Sequence, residues 1–222
     1  MASLSLPSEI ERRSMEIILS ELDSRGLRPS GANLPVVLRC IHATADFDYA
    51  ETLRFSPGAV ASGIRSLKEG ASIVTDTNMA LAGISASALR ALGGQAFCYM
   101  SDPAIAVTAS EKGCTRAAAA MDYAAQQHPF AIRAVGNAPT ALFRIADQIE
   151  NGLRPPLVIG VPVGFVNVME SKEHLIEVCE RFGVPYITAL GRKGGSSVAA
   201  AVCNALLYSA SDMLDPSSRG WK

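Results

Sequence analysis

From residue 56 to about residue 210 the chain repeats one unit, a short apolar run followed or preceded by a segment of helical length. That alternation restricts the fold more than any other feature. SPGAVASGIRSLKEG reads as a helix, with Ser56 as N-cap, Pro57 at the first helical position and Gly70 as its stop. ASIVTD (71–76) is then a strand, MALAGISASALRALGG a helix in one or two pieces, and QAFCYM (95–100) a strand. CTRAAAAMDYAAQQ reads as helix, FAIRAVG (130–136) as strand, APTALFRIADQIENG as helix and LVIGVP (157–162) as strand. SKEHLIEVCERFG, PYITAL (185–190) and GSSVAAAVCNALLYS complete the series as helix, strand and helix. The short runs are apolar throughout, as expected for strands covered by helices on both faces. About five such units with short connections imply right-handed crossovers and a parallel sheet. The expected fold is α/β, a flavodoxin-like doubly wound parallel sheet of about five strands. One domain over 1–222 is expected, with a helical N-terminal segment (1–55), a β/α core (56–210) and a loosely ordered tail (211–222).

The first 55 residues carry a different pattern. Ser8 and Glu11 have capping-box spacing for a helix of about 8–24 that stops near Gly26. Ile10, Ile17 and Ile18 mark its buried stripe, and Ser14 falls on that stripe, four residues after Ile10, whose carbonyl is one possible partner for its hydroxyl. A second helix starts near Pro35 and runs through His42. Lying over the sheet, these helices would bring His42 to its edge or mouth.

Composition narrows the function. With 222 residues, 49% hydrophobic and 18% charged, the chain can build one substantial core. Its mean hydropathy of +0.21 is high for a monomer and points to further surface buried in a homo-oligomer. The formal net charge is −1 and no long basic run occurs, so the stripe needed to displace counterions from nucleic acid is missing. No apolar run spans a bilayer: LVIGVPVGFV at 157–166 is broken by glycine and proline. MASLSLPSEIERR lacks a basic stretch followed by an apolar one, and the five cysteines are odd in number and widely spaced, which fits reduced thiols in a cytoplasm. Cys40 and His42 are two apart and would face different ways on a helix, so no metal pair is expected.

In an open parallel sheet, ligands bind beyond the carboxyl ends of the strands, where loops diverge and helix N-termini converge. Here those ends are Asp76-Thr77-Asn78, Ser101-Asp102, Gly136-Asn137, Gly164-Phe165 and Gly191-Arg192-Lys193-Gly194, all polar or glycine-rich. Turn formation and capping would select the same residue types. GRKGGSS (191–197) lacks Walker spacing, and no GxGxxG, GxSxG or HExxH occurs. Arg116 sits in the first turn of its helix, where a cation opposes the macrodipole unless an anionic ligand compensates. His128 and His174 read as solvent-facing.

Six stretches occur in order over about residues 10–207: RCIHATADFDYA, RFSPGAV, TDTNMALAGI, GNAPTALF, GVPVGFV followed by ESKE, and GRKGGS. The ordered set resembles the precorrin-8X methylmutase (cobalt-precorrin-8 methylmutase) family of cobalamin biosynthesis. The resemblance implies a cofactor-free homodimer with active sites near the subunit interface. It also implies a suprafacial 1,5-sigmatropic shift of a methyl group from carbon 11 to carbon 12 of a tetrapyrrole, giving hydrogenobyrinic acid or its cobalt counterpart. By the family's R-x-x-H motif, His42 is the implied proton donor and acceptor, with Arg39 and Ser14 as substrate contacts. Thr77, Asn78, Arg116, Asn137, Arg192 and Lys193 complete the expected carboxylate-binding cleft. On a helix Arg39, His42 and Asp46 share one face. Asp46 beside the ring would favour the imidazolium, and Arg39 would oppose it unless a substrate carboxylate neutralised the guanidinium. The rival reading is a non-catalytic carrier of a tetrapyrrole or corrinoid; a nucleotide-binding enzyme using GRKGGS is weaker.

Overall fold

The computed structural model describes residues 6–29 and 31–219. The N-terminal segment forms α1 (Pro7–Ser24), α2 (Leu34–Thr44), the short α3 (Tyr49–Thr52) and β1 (Leu53–Phe55). Then follow α4 (Ala59–Lys68), β2 (Ile73–Thr75), α5 (Asn78–Gly83), α6 (Ala86–Ala91), β3 (Ala96–Phe97), α7 (Pro103–Glu111), α8 (Arg116–Gln127) and β4 (Ile132–Val135). The chain ends with α9 (Pro139–Glu150), β5 (Val158–Gly160), α10 (Val168–Phe182), β6 (Tyr186–Ala189), α11 (Ser196–Ala210) and a 3-10 turn at Pro216–Arg219.

The strands form one mixed sheet in the order β1-β6-β5-β4-β2-β3. Five of them are parallel, and β1 joins β6 antiparallel with Leu53 opposite Ala189. Six strands rather than about five is a correction. The extra strand lies in the segment expected to be helical, and at three residues it is too short to show a period of two.

The core has two layers. Ile73, Ile132, Ala134, Ile159 and Ile187 pack under α1, α2, α4 and α11. Val74, Val135 and Val158 face the opposite way, under α8, α9 and α10. Strands covered on both faces have no solvent side, which is why they read as unbroken apolar runs. Along β4 the alternation puts Arg133 toward α8, fully buried, where its Nη2 donates to the carbonyls of Ala124 (3.3 Å) and His128 (2.7 Å). A guanidinium is thus buried against the negative end of a helix.

Several local expectations need correction. α1 starts at Pro7 after Leu6, without a side-chain cap, and Ser8 and Glu11 are buried inside it. Proline's fixed φ starts the helix two residues earlier than a capping box at Ser8 would. Ile18 is buried, but Ile10 and Ile17 are about half exposed. The helix between Asn78 and Ala91 needs no correction: it is in two pieces, as its sequence allowed, broken where Ile84 turns extended and Asn204 Oδ1 accepts from the Ser85 N–H at 2.8 Å. α7 was absent from the sequence reading, although Asp102 caps it and Pro103 begins it. The tail is docked as far as Arg219, whose side chain is 5% exposed; residues 220–222 lie outside the described ones.

Candidate active site

His42 lies in the last turn of α2. That helix buries Val36, Val37, Cys40 and Ile41 against the core, which leaves Arg39 and His42 together on its outer side. It ends at Ala45, in the left-handed region with φ 54, and the chain turns through Asp46 and Asp48 into α3. Because β1 runs antiparallel to β6, the residues before Leu53 arrive at the carboxyl end of β6, where the Leu190 N–H donates to the Thr52 carbonyl (2.9 Å). The added strand therefore carries the His42 segment to the carboxyl edge of the sheet. His42 is exposed there, not sealed in the core.

A charge cluster stands behind the imidazole. Arg39 Nη2 and Arg219 Nη1 each donate to Glu11 Oε1 at 2.7 Å, with Arg39 14%, Arg219 5% and Glu11 6% exposed. Both guanidiniums lie over the Tyr208 ring, at 5.1 and 3.9 Å. Partial burial, then the charge of Arg39 and more weakly of Arg219, lowers the His42 pKa below its ordinary 6.5, while Glu11 acts in the opposite sense. Arg39 therefore shares the protein's own Glu11 carboxylate with Arg219, one anion between two cations. Asp46, expected to face the imidazolium, instead meets Lys193. Ser14 is half-buried and its hydroxyl donates to the Ile10 carbonyl (2.9 Å), the local bond its spacing permits.

The loop after β6 faces this corner. Lys193 Nζ donates to Asp46 Oδ2 and Asp48 Oδ2, both at 2.6 Å, and Arg192 lies 5.6 Å from the exposed Phe165 ring. The fully buried Lys172 of α10 donates to the carbonyls of Gly191 (2.8 Å) and Lys193 (2.9 Å). Gly194, at φ +158, abuts β5 so closely that a Cβ would meet the Val161 carbonyl oxygen at 2.1 Å. Burial drops the Lys172 ammonium to about 8.

At the centre of the sheet, the fully buried Asp76 accepts the N–H groups of Gly136 (2.8 Å), Asn137 (2.8 Å) and Ala138 (2.7 Å), joining the loops after β2 and β4. Burial raises its carboxyl pKa, opposed by those three donors. Thr77 caps α5 and shares a 2.8 Å hydroxyl bond with Ser196 at the start of α11, and Asn78 donates to Ser101 (2.6 Å). Gly136 is required here, since a Cβ would lie 2.7 Å from the Ser196 Cα. Asn137 is exposed.

Arg39, His42 and Lys193 thus gather at one corner, Thr77, Asn78 and Asn137 at the centre, and Ser14 one turn along α1 from Glu11. Arg116 stands apart. It starts α8 and reaches the Met100 carbonyl (3.5 Å), beyond β3 at the other edge of the sheet. β3 and β6 are four strand spacings apart, roughly 19 Å. His128, expected to face solvent, is half-buried: its Nε2 bonds Tyr99 Oη (2.6 Å) and its ring stacks on Phe97 at 4.1 Å. His174 is half-buried, 5.8 Å from the Phe143 ring. A cavity of about 530 Å³ beside Ser72, His128, Ala131 and Arg154 opens near the amino ends of β2 and β4, away from all these loops. Sequence reasoning missed Lys172, the pairing of Glu11 with two arginines and the bracing role of Asp76. Two charged residues at otherwise apolar helix positions, and an aspartate closing an apolar strand, were the available signals.

The molecule is an α/β protein with an exposed imidazole and several cations on the loops at the carboxyl edge of its sheet, where open α/β sheets bind their ligands. The family model described as CbiC, precorrin-8X methylmutase, matches residues 9–209. The cobalt-precorrin-8 methylmutase of Salmonella typhimurium is 43% identical over 214 residues, 94% of this chain and 98% of the relative. The precorrin-8X methylmutase of Pseudomonas aeruginosa is 39% identical over 198 residues, 89% of this chain and 93% of the relative. The crystal structure of the precorrin-8X methyl mutase from Thermus thermophilus superposes with a TM-score of 0.80 at 40% identity, covering 91% of this chain and 98% of that one. The chain belongs to the precorrin-8X methylmutase family, isomerases that move a methyl group within one molecule. Among the described residues, no helix is long and apolar enough to cross a membrane.

Proposed function

We propose that this chain moves a methyl group from carbon 11 to carbon 12 of precorrin-8X or its cobalt form, with His42 lending and recovering the proton. The carrying observation is the position of His42, exposed at the carboxyl edge of the sheet and beside Arg39 on the outer side of α2. A 1,5-sigmatropic shift needs the macrocycle held still and its π-system polarised. Protonating a ring nitrogen beside the migration site polarises it, and the same proton returns to the imidazole afterwards, so the step is neutral overall. A lowered pKa makes the imidazolium a stronger acid but a scarcer one. Substrate carboxylates entering this corner raise it again by offsetting Arg39 and Arg219.

In this reading Ser14, Arg39, Thr77, Asn78, Arg116, Asn137, Arg192 and Lys193 are the substrate contacts. The distant Arg116 and the exposed Met79, Val107, Phe165 and Val166 support a homodimer in which one substrate meets residues of two subunits. Counted alone, the parallel strands run 2-1-3-4-5, the order of a flavodoxin-like sheet, to which β1 is an addition. The chain acts as one domain, and a cytoplasmic setting suits its free cysteines. The test is incubation with precorrin-8X under single-turnover conditions. Isomerisation changes the visible spectrum as the conjugation is rearranged. Stoichiometric binding with an unchanged chromophore would identify a carrier instead.

A further inference from the structure

We propose that Lys172 is a positioning residue for the cleft: its buried ammonium holds the loop after β6 inside out, so that Lys193 projects toward the His42 corner and Arg192 toward Phe165 in the loop after β5. Two loop carbonyls turn inward to a buried cation, and the one between them is tied to the neighbouring loop. Those of Gly191 and Lys193 accept from Lys172 Nζ at 2.8 and 2.9 Å, and that of Arg192 accepts from the Gly164 N–H at 3.2 Å. A phosphate-binding loop does the reverse and turns its N–H groups toward the ligand. GRKGGS therefore presents side chains to the cleft and keeps its backbone dipoles for an internal cation. A buried ammonium satisfied by carbonyls is costly unless those acceptors are fixed, and here they are. Gly194 is wedged against the Val161 carbonyl, and the Gly195 N–H donates to that same oxygen at 2.8 Å.

The consequence reaches the imidazole. Lys193 grips Asp46 and Asp48, which form the turn directly after the helix of His42. Lys172, the loop and the end of α2 are thus coupled through three sets of bonds, although Lys172 need not touch the substrate. This inference rests on the methylmutase reading for its kinetic consequence, not for its geometry.

The test uses the full chain as K172M and K172R. Losing two charge-assisted bonds should release the loop. Tryptic cleavage after Arg192 or Lys193, both exposed, should then quicken by about tenfold in K172M, and KM for precorrin-8X should rise by about tenfold. K172R, which keeps a cation, should lie between it and the wild type. In the wild type KM should also rise as pH passes about 8, where the ammonium discharges, and that limb should vanish in K172M. A purely structural lysine would lower the melting temperature yet leave KM and its pH profile per folded molecule unchanged. Cleavage and KM within twofold of wild type in K172M would overturn the proposal. If K172M does not fold, K172Q, which retains an uncharged NH2 donor, carries the same comparison. Absence of turnover in the wild type would refute the methylmutase reading alone, while the cleavage comparison still decides the role of the loop.

Discussion

Replacing Glu11 by glutamine removes the negative charge shared by two largely covered arginines, and two effects follow. The first is stability. Glu11 is 6% exposed and its partners 14% and 5%, so this is a buried network rather than a surface pair. Removing one partner from such a network costs about 3–5 kcal/mol because charge is left unpaired. The glutamine carbonyl still accepts one neutral hydrogen bond, so the lower figure is the better expectation. For a chain of this length each kcal/mol moves the melting temperature by about 2–4 °C, which gives a drop of roughly 6–12 °C at pH 7. Burial lifts the Glu11 carboxyl, but the hydrogen bonds of Arg219 and Arg39 outweigh it and hold the pKa below the ordinary 4.5. A depressed folded pKa gives stability above the unfolded value that is lost as pH falls through the folded one. The gap between wild type and E11Q should therefore persist from neutrality to about pH 5 and close below 4.5. The second effect is electrostatic: without Glu11 the His42 imidazole should titrate lower still. Circular dichroism melts across pH, with NMR titration of His42, measure both. A drop under about 2 °C at pH 7, or a His42 pKa that rises in E11Q, would refute the reasoning.

Three further outcomes are expected. Asp76→Ala leaves three backbone donors between the β2 and β4 loops without their carboxylate, so a loss of about 2–4 kcal/mol in urea unfolding is expected, part of the cost being offset by removal of a buried charge. Gly194→Ala drives a methyl group into the Val161 carbonyl, so the loop must move; a melting temperature and KM like those of the wild type would contradict the close approach. Arg39→Met removes the larger cationic influence on His42, so the imidazole pKa should rise toward 6.5, as read by NMR.

The parallel core was legible because strands buried on both faces are written as apolar runs between helix signals. β1 was not, because three residues paired with a distant strand leave no local periodicity, and its position is set by β6. α7 was missed although Asp102-Pro103 is a normal helix start, since its nine residues, small and apolar on most sides, show no clear amphipathic period. At the site, spacing placed Arg39 and His42 together correctly, because helical periodicity is local. It did not reveal that Arg39 pairs with Glu11 or Asp46 with Lys193, because those partners are 28 and 147 residues away in the chain. Such pairings depend on how α1 and the β6 loop pack, which only the folded chain displays.

The measurement that bears most directly on the central claim is the single-turnover rate of His42→Ala with precorrin-8X, with ligand affinity determined on the same samples. The expected result is a loss of about 10²–10⁴-fold in the isomerisation rate with affinity kept within a few fold, since the imidazole supplies a proton rather than binding energy. An isomerisation rate within a few fold of wild type would contradict the account and remove His42 from the chemistry.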